Sequence, residues 1–207
     1  MPAAGSLVKE SWASNMYLVI DTETTGLPKS WKASVTNLNN WPRLVQIAWI
    51  QYDKSGTILK TCDYLVKPDG FTIPKAASII HGITTEKAIS DGRSVIDVLN
   101  EFELDANDSN WIIAHNMSFD EMVIGAELLR RGKKNLLANK SKICTKAVST
   151  DYCAIPGPRG YKWPTLSELY LSLFGTDIPE GHDALVDAKI CAKCFFELKR
   201  LQVINLL

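Results

Sequence analysis

One short apolar segment constrains the fold of this chain more than any other feature. Residues Met16-Tyr-Leu-Val-Ile-Asp21 form a nearly continuous apolar run that ends in an acid. A run of this kind is typical of a strand that is buried on both faces, as the central strands of α/β sheets are. We therefore expect this segment to lie in the middle of a sheet, with its acid at the carboxyl end.

The elements after this strand follow the order of an α/β domain. Two β-rich runs, Leu44–Tyr52 and residues 57–66, flank a turn and predict an antiparallel hairpin. Later segments predict strands and helices in alternation, which favours one domain with a mixed sheet. The predicted strands are Trp111–Ala114 and residues 142–145, and the predicted helices are residues 74–81, 95–104, 118–129 (with a capping box, Ser118-x-x-Glu121), 165–175 (capped by Thr165 and Glu168) and Ala184–Arg200.

Composition limits the classes of protein to consider. The 207 residues are 46% hydrophobic and 22% charged, as in an ordinary globular domain, and we expect a flexible tail over residues 1–15 and one domain over residues 16–207. The 23 basic and 23 acidic residues cancel, which argues against a protein that coats long duplexes through bulk charge. No apolar run approaches the roughly 18 residues of a membrane span, so no membrane partner is expected. Five cysteines, an odd number, suggest reduced thiols and a cytoplasmic protein.

Acidic residues follow two of the predicted buried strands. Asp21-Thr-Glu23 places two carboxylates two residues apart, and in extended backbone such residues face the same side. A solvated acidic turn is the common alternative for this pattern. Asp120 falls in the first turn of a helix, where the helix dipole alone stabilises a carboxylate by about 0.3–1 kcal/mol. Because ligands of open α/β sheets bind at the carboxyl ends of strands, the acids together predict a site at that edge.

A third acidic segment precedes the last predicted helix. His182 and Asp187 are five residues apart, which is about 140° of rotation on an ideal helix, so they cannot share a helical face. We therefore expect His182 in the loop before the helix, Asp183 as the N-cap and Asp187 within the first turns.

Four segments of this sequence resemble a known family. They are Asp21-Thr-Glu-Thr-Thr-Gly26, His81-Gly-Ile-Thr-Thr-Glu86, His115-Asn-Met-Ser-Phe-Asp120 and His182-Asp-Ala-Leu-Val-Asp187-Ala. In this order, over roughly residues 17–200, they are similar to the motifs of the DEDD exonucleases. Because the last segment contains His182, the resemblance is to the histidine-containing DEDDh branch, which includes the DnaQ-like proofreading epsilon subunits of bacterial DNA polymerase III.

The resemblance implies a fold, an activity and a set of roles. The fold is α/β, the ribonuclease H-like mixed sheet with helices on both faces. The activity is hydrolysis of single-stranded nucleic acid, with DNA favoured, from the 3′ end to nucleoside monophosphates. Two divalent ions, Mg²⁺ or Mn²⁺, are the implied cofactors, and two such cations can hold the attacking and leaving oxygens of a phosphodiester in line. The implied metal ligands are Asp21, Glu23, Asp120 and Asp187, with His182 as the general base.

The same resemblance implies binding partners for the protein and residues that contact a nucleic-acid strand. A single-stranded 3′ end is the expected partner, and a DNA polymerase is a second one that the family allows. The implied substrate-binding residues are Thr24 and Gly26 through their backbone, Leu27 as an apolar wedge, and His81, Asn116 and Phe119 along the groove. For each of these residues taken singly, a packing role is an equally good explanation.

Several features leave alternatives open. A relative that binds nucleic-acid ends or a polymerase, and cuts weakly or not at all, is the second hypothesis for the whole chain. Seven basic residues and no acid lie in residues 130–146, which fits either a solvated surface or a phosphate-binding patch. The polar loop over residues 29–42 is long enough to suggest a functional flap. Cys191 and Cys194 are three apart in a predicted helix, which favours packing over a metal or redox site.

Overall fold

The computed structural model describes residues 16–178 and 182–206. Five strands form its main sheet: β1 (Tyr17–Thr24), β2 (Leu44–Tyr52), β3 (Ile58–Leu65), β4 (Trp111–Ala114) and β5 (Ser141–Cys144). Their order is β3-β2-β1-β4-β5. β1 and β3 each pair antiparallel with β2, whereas β4 pairs parallel with β1 and with β5. The sheet is mixed and β1 is its middle strand, as the sequence predicts.

Helices cover both faces of this sheet. The eight helices are α1 (Lys75–His81), α2 (Thr85–Asp91), α3 (Val95–Asp108), α4 (Met117–Arg130), α5 (Thr145–Val148), α6 (Thr150–Cys153), α7 (Leu166–Phe174) and α8 (Ala184–Arg200). A 3₁₀ turn spans Leu136–Asn139, and Pro156–Gly157 (β6) pairs with Gly160–Tyr161 (β7) as a small hairpin. Among the described residues no helix is both long and apolar enough to cross a membrane.

Alternate residues of β1 belong to two hydrophobic cores. Leu18 and Ile20 pack with α3 and α4 on one face, and Tyr17 and Val19 pack with α7 and α8 on the other. All four side chains are buried, which is the reason for the unbroken apolar run in the sequence. The fold is therefore the α/β class that was expected, a ribonuclease H-like mixed sheet with helices on both faces.

The capping prediction for α4 is wrong, whereas the one for α7 is confirmed. α4 begins at Met117 and follows Asn116, which has left-handed backbone (φ 86°) and makes no side-chain cap. Asn tolerates this conformation better than most residues, so the chain turns sharply without the Ser118 capping box. Thr165 and Glu168 do form the reciprocal capping box of α7.

Most element boundaries agree with the sequence, and the differences are local. β2, β4 and α8 have the predicted limits, while α3 continues four residues beyond its predicted end, to Asp108. The sequence analysis missed α2, α5, α6 and the β6–β7 hairpin, all of which are short. The loop over residues 29–42 contains turns and no helix or strand. Residues 1–15, the predicted tail, lie outside the described residues, so the tail and domain limits stay predictions.

Candidate active site

The candidate site lies where β1 extends past its parallel neighbour. β4 pairs only with Tyr17, Leu18 and Val19, so the rest of β1 is paired on one side alone, with β2. The chain that leaves β4 turns into α4 at this point. Asp21 and Glu23 lie on the part of β1 that pairs with β2 alone, and they alternate with Thr22. The gap beside β1 therefore lets groups from both faces of the sheet approach these acids.

Asp120 reaches this gap from the α4 side. It lies in the first turn of α4 and is only 2% exposed. Thr22, which points to the same face as Leu18 and Ile20, donates a buried hydrogen bond of 2.8 Å from Oγ1 to Asp120 Oδ1. Thr22 is thus a site residue that sequence reasoning missed, although its place between two acids was a signal.

His182 and Asp187 reach the gap from the α8 side. Asp183 is the N-cap of α8 and accepts a hydrogen bond from the Val186 amide at 3.0 Å, as predicted. His182 precedes the helix and is exposed, and Asp187 follows one turn later. The ligand atoms of Glu23, His182 and Asp187 lie within 4.8 Å of one another. The loop position predicted for His182 is therefore confirmed, and it brings the imidazole beside two of the acids.

Gln46 holds the start of α8 against the sheet. It lies opposite Glu23 in the β1–β2 register and is 3% exposed. Its Nε2 donates to Asp183 Oδ2 at 3.2 Å, and its Oε1 accepts from the Ala184 amide at 3.2 Å. The sequence analysis overlooked Gln46, although a glutamine within an apolar strand is an unusual feature.

Burial raises the pKa of all four acids, and the charges of the other acids raise it further for Asp21 and Glu23. Burial raises the pKa of Asp21 well above its ordinary value, and the negative charges of Asp120, Asp187 and Glu23 raise it further. Burial, followed by the charges of Asp187 and Asp120, raises the pKa of Glu23 to about 7. Burial also raises the pKa of Asp187, to about 6, against the opposing effect of His182. Burial raises the pKa of Asp120, and the hydrogen bond from Thr22 opposes the rise.

The donor set fits hard divalent cations. None of the ion pairs formed by the described residues involves Asp21, Glu23, Asp120 or Asp187. Carboxylate oxygens are the ligands that Mg²⁺ and Mn²⁺ prefer, and a bound cation would favour the charged form of each acid against the burial and repulsion that raise these pKa values. Within residues 16–178 and 182–206, no Lys or Arg side chain balances the four acids, and the imidazole of His182 lies beside two of them.

A protein-family comparison decides the classification. A family model described as "Exonuclease" (RNase_T) matches residues 18–195, which include all the elements named above at the site. The chain belongs to the exonuclease family.

Individual members of this family are similar to the chain over part of their length. Exodeoxyribonuclease 10 of Escherichia coli K12 is 33% identical over 109 residues, which are 53% of this chain and 40% of the relative. A crystal structure of E. coli Exonuclease I with a dT13 oligonucleotide has a TM-score of 0.70 at 18% identity and covers 91% of this chain and 42% of that one. Another Exonuclease I structure has a TM-score of 0.71 at 20% identity. At these identities the structural likeness concerns the fold, and the chain spans less than half the length of either relative.

The predicted nucleic-acid contacts of the first segment, Asp21–Gly26, and of the adjoining Leu27 follow the acids Asp21 and Glu23 in the chain. Thr24 is buried, and its Oγ1 donates to the Gly26 carbonyl at 2.7 Å. Gly26 has φ of 140°, a conformation that favours glycine. Leu27 is 74% exposed, which is unusual for a leucine beside a buried acid cluster. The roles of Thr24, Gly26 and Leu27 in binding nucleic acid stay predictions.

His81 lies near the Thr24 backbone and His182. Its Nδ1 accepts a hydrogen bond from the Ile83 amide at 3.1 Å. Its buried Nε2 faces the Thr24 backbone and has no hydrogen-bond partner among the described residues. Burial lowers the pKa of His81, and the positive charge of nearby His182 lowers it further.

Asn116 and Phe119 lie at the start of α4. Asn116 Oδ1 accepts a hydrogen bond from Lys146 Nζ at 3.3 Å. Phe119 packs against the first core and against Trp31 of the 29–42 loop, with ring centroids 5.8 Å apart. Trp31 is itself 55% exposed, so the loop places a second accessible aromatic ring beside the predicted groove.

The basic residues at 130–146 mainly contact the protein itself. Arg130 donates to the carbonyl oxygens of Leu38 and Trp41, at 2.6 and 2.7 Å, and pairs with buried Glu127, so it fixes the base of the 29–42 loop. Four others are bound in the same way: Arg131 to Asp69, Lys133 to Glu103, Lys142 to Glu121, and Lys140 to the carbonyl oxygens of Asn107 and Ser109. The structure therefore favours a structural role for five of these residues over a phosphate-binding patch.

His115 and the two cysteines of α8 are structural. His115 Nδ1 lies 3.0 Å from Thr145 Oγ1 and its Nε2 3.1 Å from the Pro164 carbonyl oxygen, and burial lowers its pKa to about 4. Cys191 and Cys194 are buried in the second core, as the packing interpretation predicts.

Proposed function

We propose that this exonuclease removes nucleotides from the 3′ end of single-stranded DNA by a metal-dependent hydrolysis of the DEDDh type. The observation that carries the proposal is the convergence of Asp21, Glu23, Asp120 and Asp187 on one gap beside β1, with His182 within ligand distance of two of them. Four carboxylates without a compensating cation are unfavourable in a folded protein, since like charges about 4 Å apart repel by roughly 1–4 kcal/mol per pair.

The four carboxylates would hold two divalent ions, Mg²⁺ or Mn²⁺. When bound, such a pair of cations lowers the pKa of the attacking water and offsets the charge that develops on the phosphate oxygens. Asp120 is the least exposed of the ligands, and its hydrogen bond from Thr22 fixes which oxygen remains free to point into the gap. Ordering of the ligands before binding reduces the cost of assembling the site.

His182 would accept the proton of the attacking water. Imidazole suits this role because it titrates near neutral pH. The residue after it, Asp183, is held by its N-cap hydrogen bond with Val186 and by Gln46 on β2, which keeps the exposed ring beside Glu23 and Asp187. An exposed position also lets the ring return its proton to solvent.

The single-stranded DNA substrate would lie across the exposed residues next to the acids. Leu27 offers an apolar surface to the terminal base, Thr24 and Gly26 offer backbone groups, and His81, Asn116 and Phe119 line the path. Single-stranded DNA is favoured as substrate because one relative is called an exodeoxyribonuclease and the Exonuclease I structures carry DNA oligonucleotides. One Exonuclease I complex with single-stranded DNA is described as zinc-bound, which supports a cation at such a site. Proofreading with a DNA polymerase and a cytoplasmic location stay predictions.

The test is cleavage of end-labelled single-stranded DNA and RNA with Mg²⁺, with Mn²⁺ and with EDTA. We expect stepwise shortening from the 3′ end that releases mononucleotides, prefers DNA and stops with EDTA. Asp120→Asn should lower the rate about 10³-fold, because the loss of several kcal/mol of charge stabilisation corresponds to that factor. Asp108→Asn is the matched control: it is exposed, lies at the end of α3 away from the acids, and should cut normally.

A relative that binds DNA ends but does not cut them is the second hypothesis. It would be supported if the wild-type protein bound the oligonucleotide and left it intact with either ion. Equal release of mononucleotides by wild type and Asp120→Asn would instead refute the assignment of the site.

A further inference from the structure

A second cleft lies at the N-terminus of α4, and none of the four acids lines it. It has a volume of about 310 Å³ and is lined mainly by polar, charged and aromatic side chains. This volume is at the lower end of the range for small-ligand sites. Its main lining residues are Asn116, Ser118, Glu121, Lys142, Lys146 and Trp163. Ser118 and Glu121 of the cleft lie in the same turn of α4 as Asp120, so the cleft adjoins the helix end that carries one of the acids.

Trp163 is the most informative residue of the cleft. It is 64% exposed, whereas the large apolar surface of an indole is normally buried. The backbone around it is fixed: the Lys162 amide donates to the Ile155 carbonyl at 2.9 Å, and the Pro164 carbonyl is held by His115. A rigid segment that presents an aromatic ring to solvent is the arrangement of a stacking platform.

The charges in the cleft favour an anionic ligand beside that ring. Lys142 is neutralised by Glu121, whereas Lys146 forms no ion pair with any acid among residues 16–178 and 182–206. Lys146 Nζ lies 5.2 Å from the centre of the Trp163 ring and 3.3 Å from Asn116 Oδ1. The cleft therefore combines one uncompensated cation, one aromatic surface and one amide.

We propose that this cleft binds one further nucleotide of the same single strand, upstream of the bond that is cut. The base stacks on Trp163, and the phosphate contacts Lys146. Asn116 borders both the cleft and the start of α4, so a strand that leaves the acids across Asn116 enters the cleft directly. His115 is then a positioning residue, since its bond to Pro164 holds the platform. The inference rests on the proposed nuclease function for the direction of the strand.

The test measures how affinity depends on oligonucleotide length. Fluorescence anisotropy with 5′-labelled dT oligonucleotides of two to ten nucleotides, in EDTA to prevent cleavage, should show a step in affinity at the length that reaches the cleft. Stacking contributes about 1–3 kcal/mol per base, so Trp163→Ala should remove a step of roughly 5- to 100-fold. Trp163→Phe should restore most of it, and Lys146→Ala should reduce it and flatten its salt dependence.

Tyr161→Ala is the matched control, because Tyr161 is an exposed aromatic residue two positions away that does not line the cleft. It should keep the full step. An unchanged step in Trp163→Ala, with unchanged thermal unfolding, overturns the proposal. The proposal is also overturned if the cleft binds the free mononucleotide product and not the DNA strand. In that case Trp163→Ala weakens competition by dTMP but leaves the step in oligonucleotide affinity intact. The step is independent of cleavage: if wild type never cuts DNA but shows a Trp163-dependent step, the cleft is supported and the nuclease function fails.

Discussion

Among the described residues, two clusters of potential metal ligands look alike but differ in how their negative charge is balanced. Cys62, Glu101 and Asp105 bring their ligand atoms as close together as Glu23, His182 and Asp187 do. In the first cluster, however, Lys60 lies 2.7 Å from Asp105 and Arg93 lies 3.1 Å from Glu101. Burial alone would raise the pKa of Glu101, but the hydrogen bonds from Lys60, Tyr64 and Arg93 outweigh it and lower that pKa.

The difference shows why proximity of acids does not define a metal site. In the cluster of α3 and β3 the protein supplies its own cations, and Trp49 donates a further hydrogen bond to Asp105 at 2.7 Å. At the end of β1 the described residues supply no Lys or Arg partner, and the pKa values of the acids rise. We call these the neutralised cluster and the uncompensated cluster. The second kind has the charge balance that a bound cation completes.

The largest expected difference between the clusters is in catalysis. Asp187→Asn should lower cleavage of single-stranded DNA about 10³-fold, because it removes a ligand charge from the uncompensated cluster. Asp105→Asn should lower stability by about 1–3 kcal/mol and leave the rate of the folded protein unchanged. Rates measured at a temperature where both variants are folded check this contrast, and similar losses in the two variants would contradict it.

Metal binding should also separate the clusters. At a Mg²⁺ or Mn²⁺ concentration about 100 times the dissociation constant, linkage stabilises the folded state by about 2.7 kcal/mol, or roughly 5–10 °C in Tm for a protein of this size. We expect this rise in wild type and in Glu101→Gln, and its loss in Asp21→Asn. Differential scanning fluorimetry with and without EDTA measures it; a wild-type Tm indifferent to both ions argues against the carboxylate site.

The pH dependence of stability should have opposite signs in the two clusters. The folded-state pKa values of Glu23 and Asp187, about 7 and about 6, lie above their ordinary values, so the folded state binds protons more tightly than the unfolded state. The stability that this difference contributes is complete below about pH 4 and is lost as the pH rises through 6 to 7. Glu101 behaves in the opposite way, because its lowered pKa contributes stability that is lost only when the pH falls below its ordinary value.

Thermal unfolding in EDTA measures this effect. Tm should be about 5 °C higher at pH 5 than at pH 8, if the rest of the protein titrates little in that range. Glu23→Gln should reduce the difference, and Glu101→Gln should not. If Tm is instead lower at pH 5 than at pH 8, in wild type and in Glu23→Gln alike, groups other than these acids dominate the pH dependence of stability.

The smallest effect concerns the hydrogen bonds around the ligands. Thr22→Val keeps the shape of the side chain but removes the donor to Asp120, so Mn²⁺ should bind about 10-fold more weakly. Tyr64→Phe removes the corresponding donor to Glu101 in the neutralised cluster and should leave Mn²⁺ affinity unchanged. Titration calorimetry on both variants tests whether hydrogen bonds matter only where the ion binds.

The sequence predicts those parts of the molecule that depend on local patterns. The limits of β2, β4 and α8 follow from apolar runs and caps, and the place of His182 before α8 follows from its five-residue spacing to Asp187. The acids could be predicted to meet because the carboxyl ends of strands share one edge of a sheet.

The parts that escaped prediction depend on contacts between distant residues. Gln46 and Asp183 are far apart in sequence, and no local pattern announces their hydrogen bond. The basic residues at 130–146 look like a phosphate-binding patch in sequence, but their acidic partners, such as Asp69 and Glu103, lie on other elements. The predicted Ser118 capping box does not form. Asn116, which has left-handed backbone, precedes α4, and the helix begins at Met117, one residue before Ser118.

The order of the elements along the chain affects when the protein can become active. α8 supplies Asp187 and much of the second core, and it packs against β1 and β2, which precede it by more than 130 residues. An unfinished or partly folded chain therefore lacks a complete set of acids, whatever ions surround it. If the site works as proposed, nascent or damaged copies cannot degrade DNA, and activity itself reports that the whole domain has assembled.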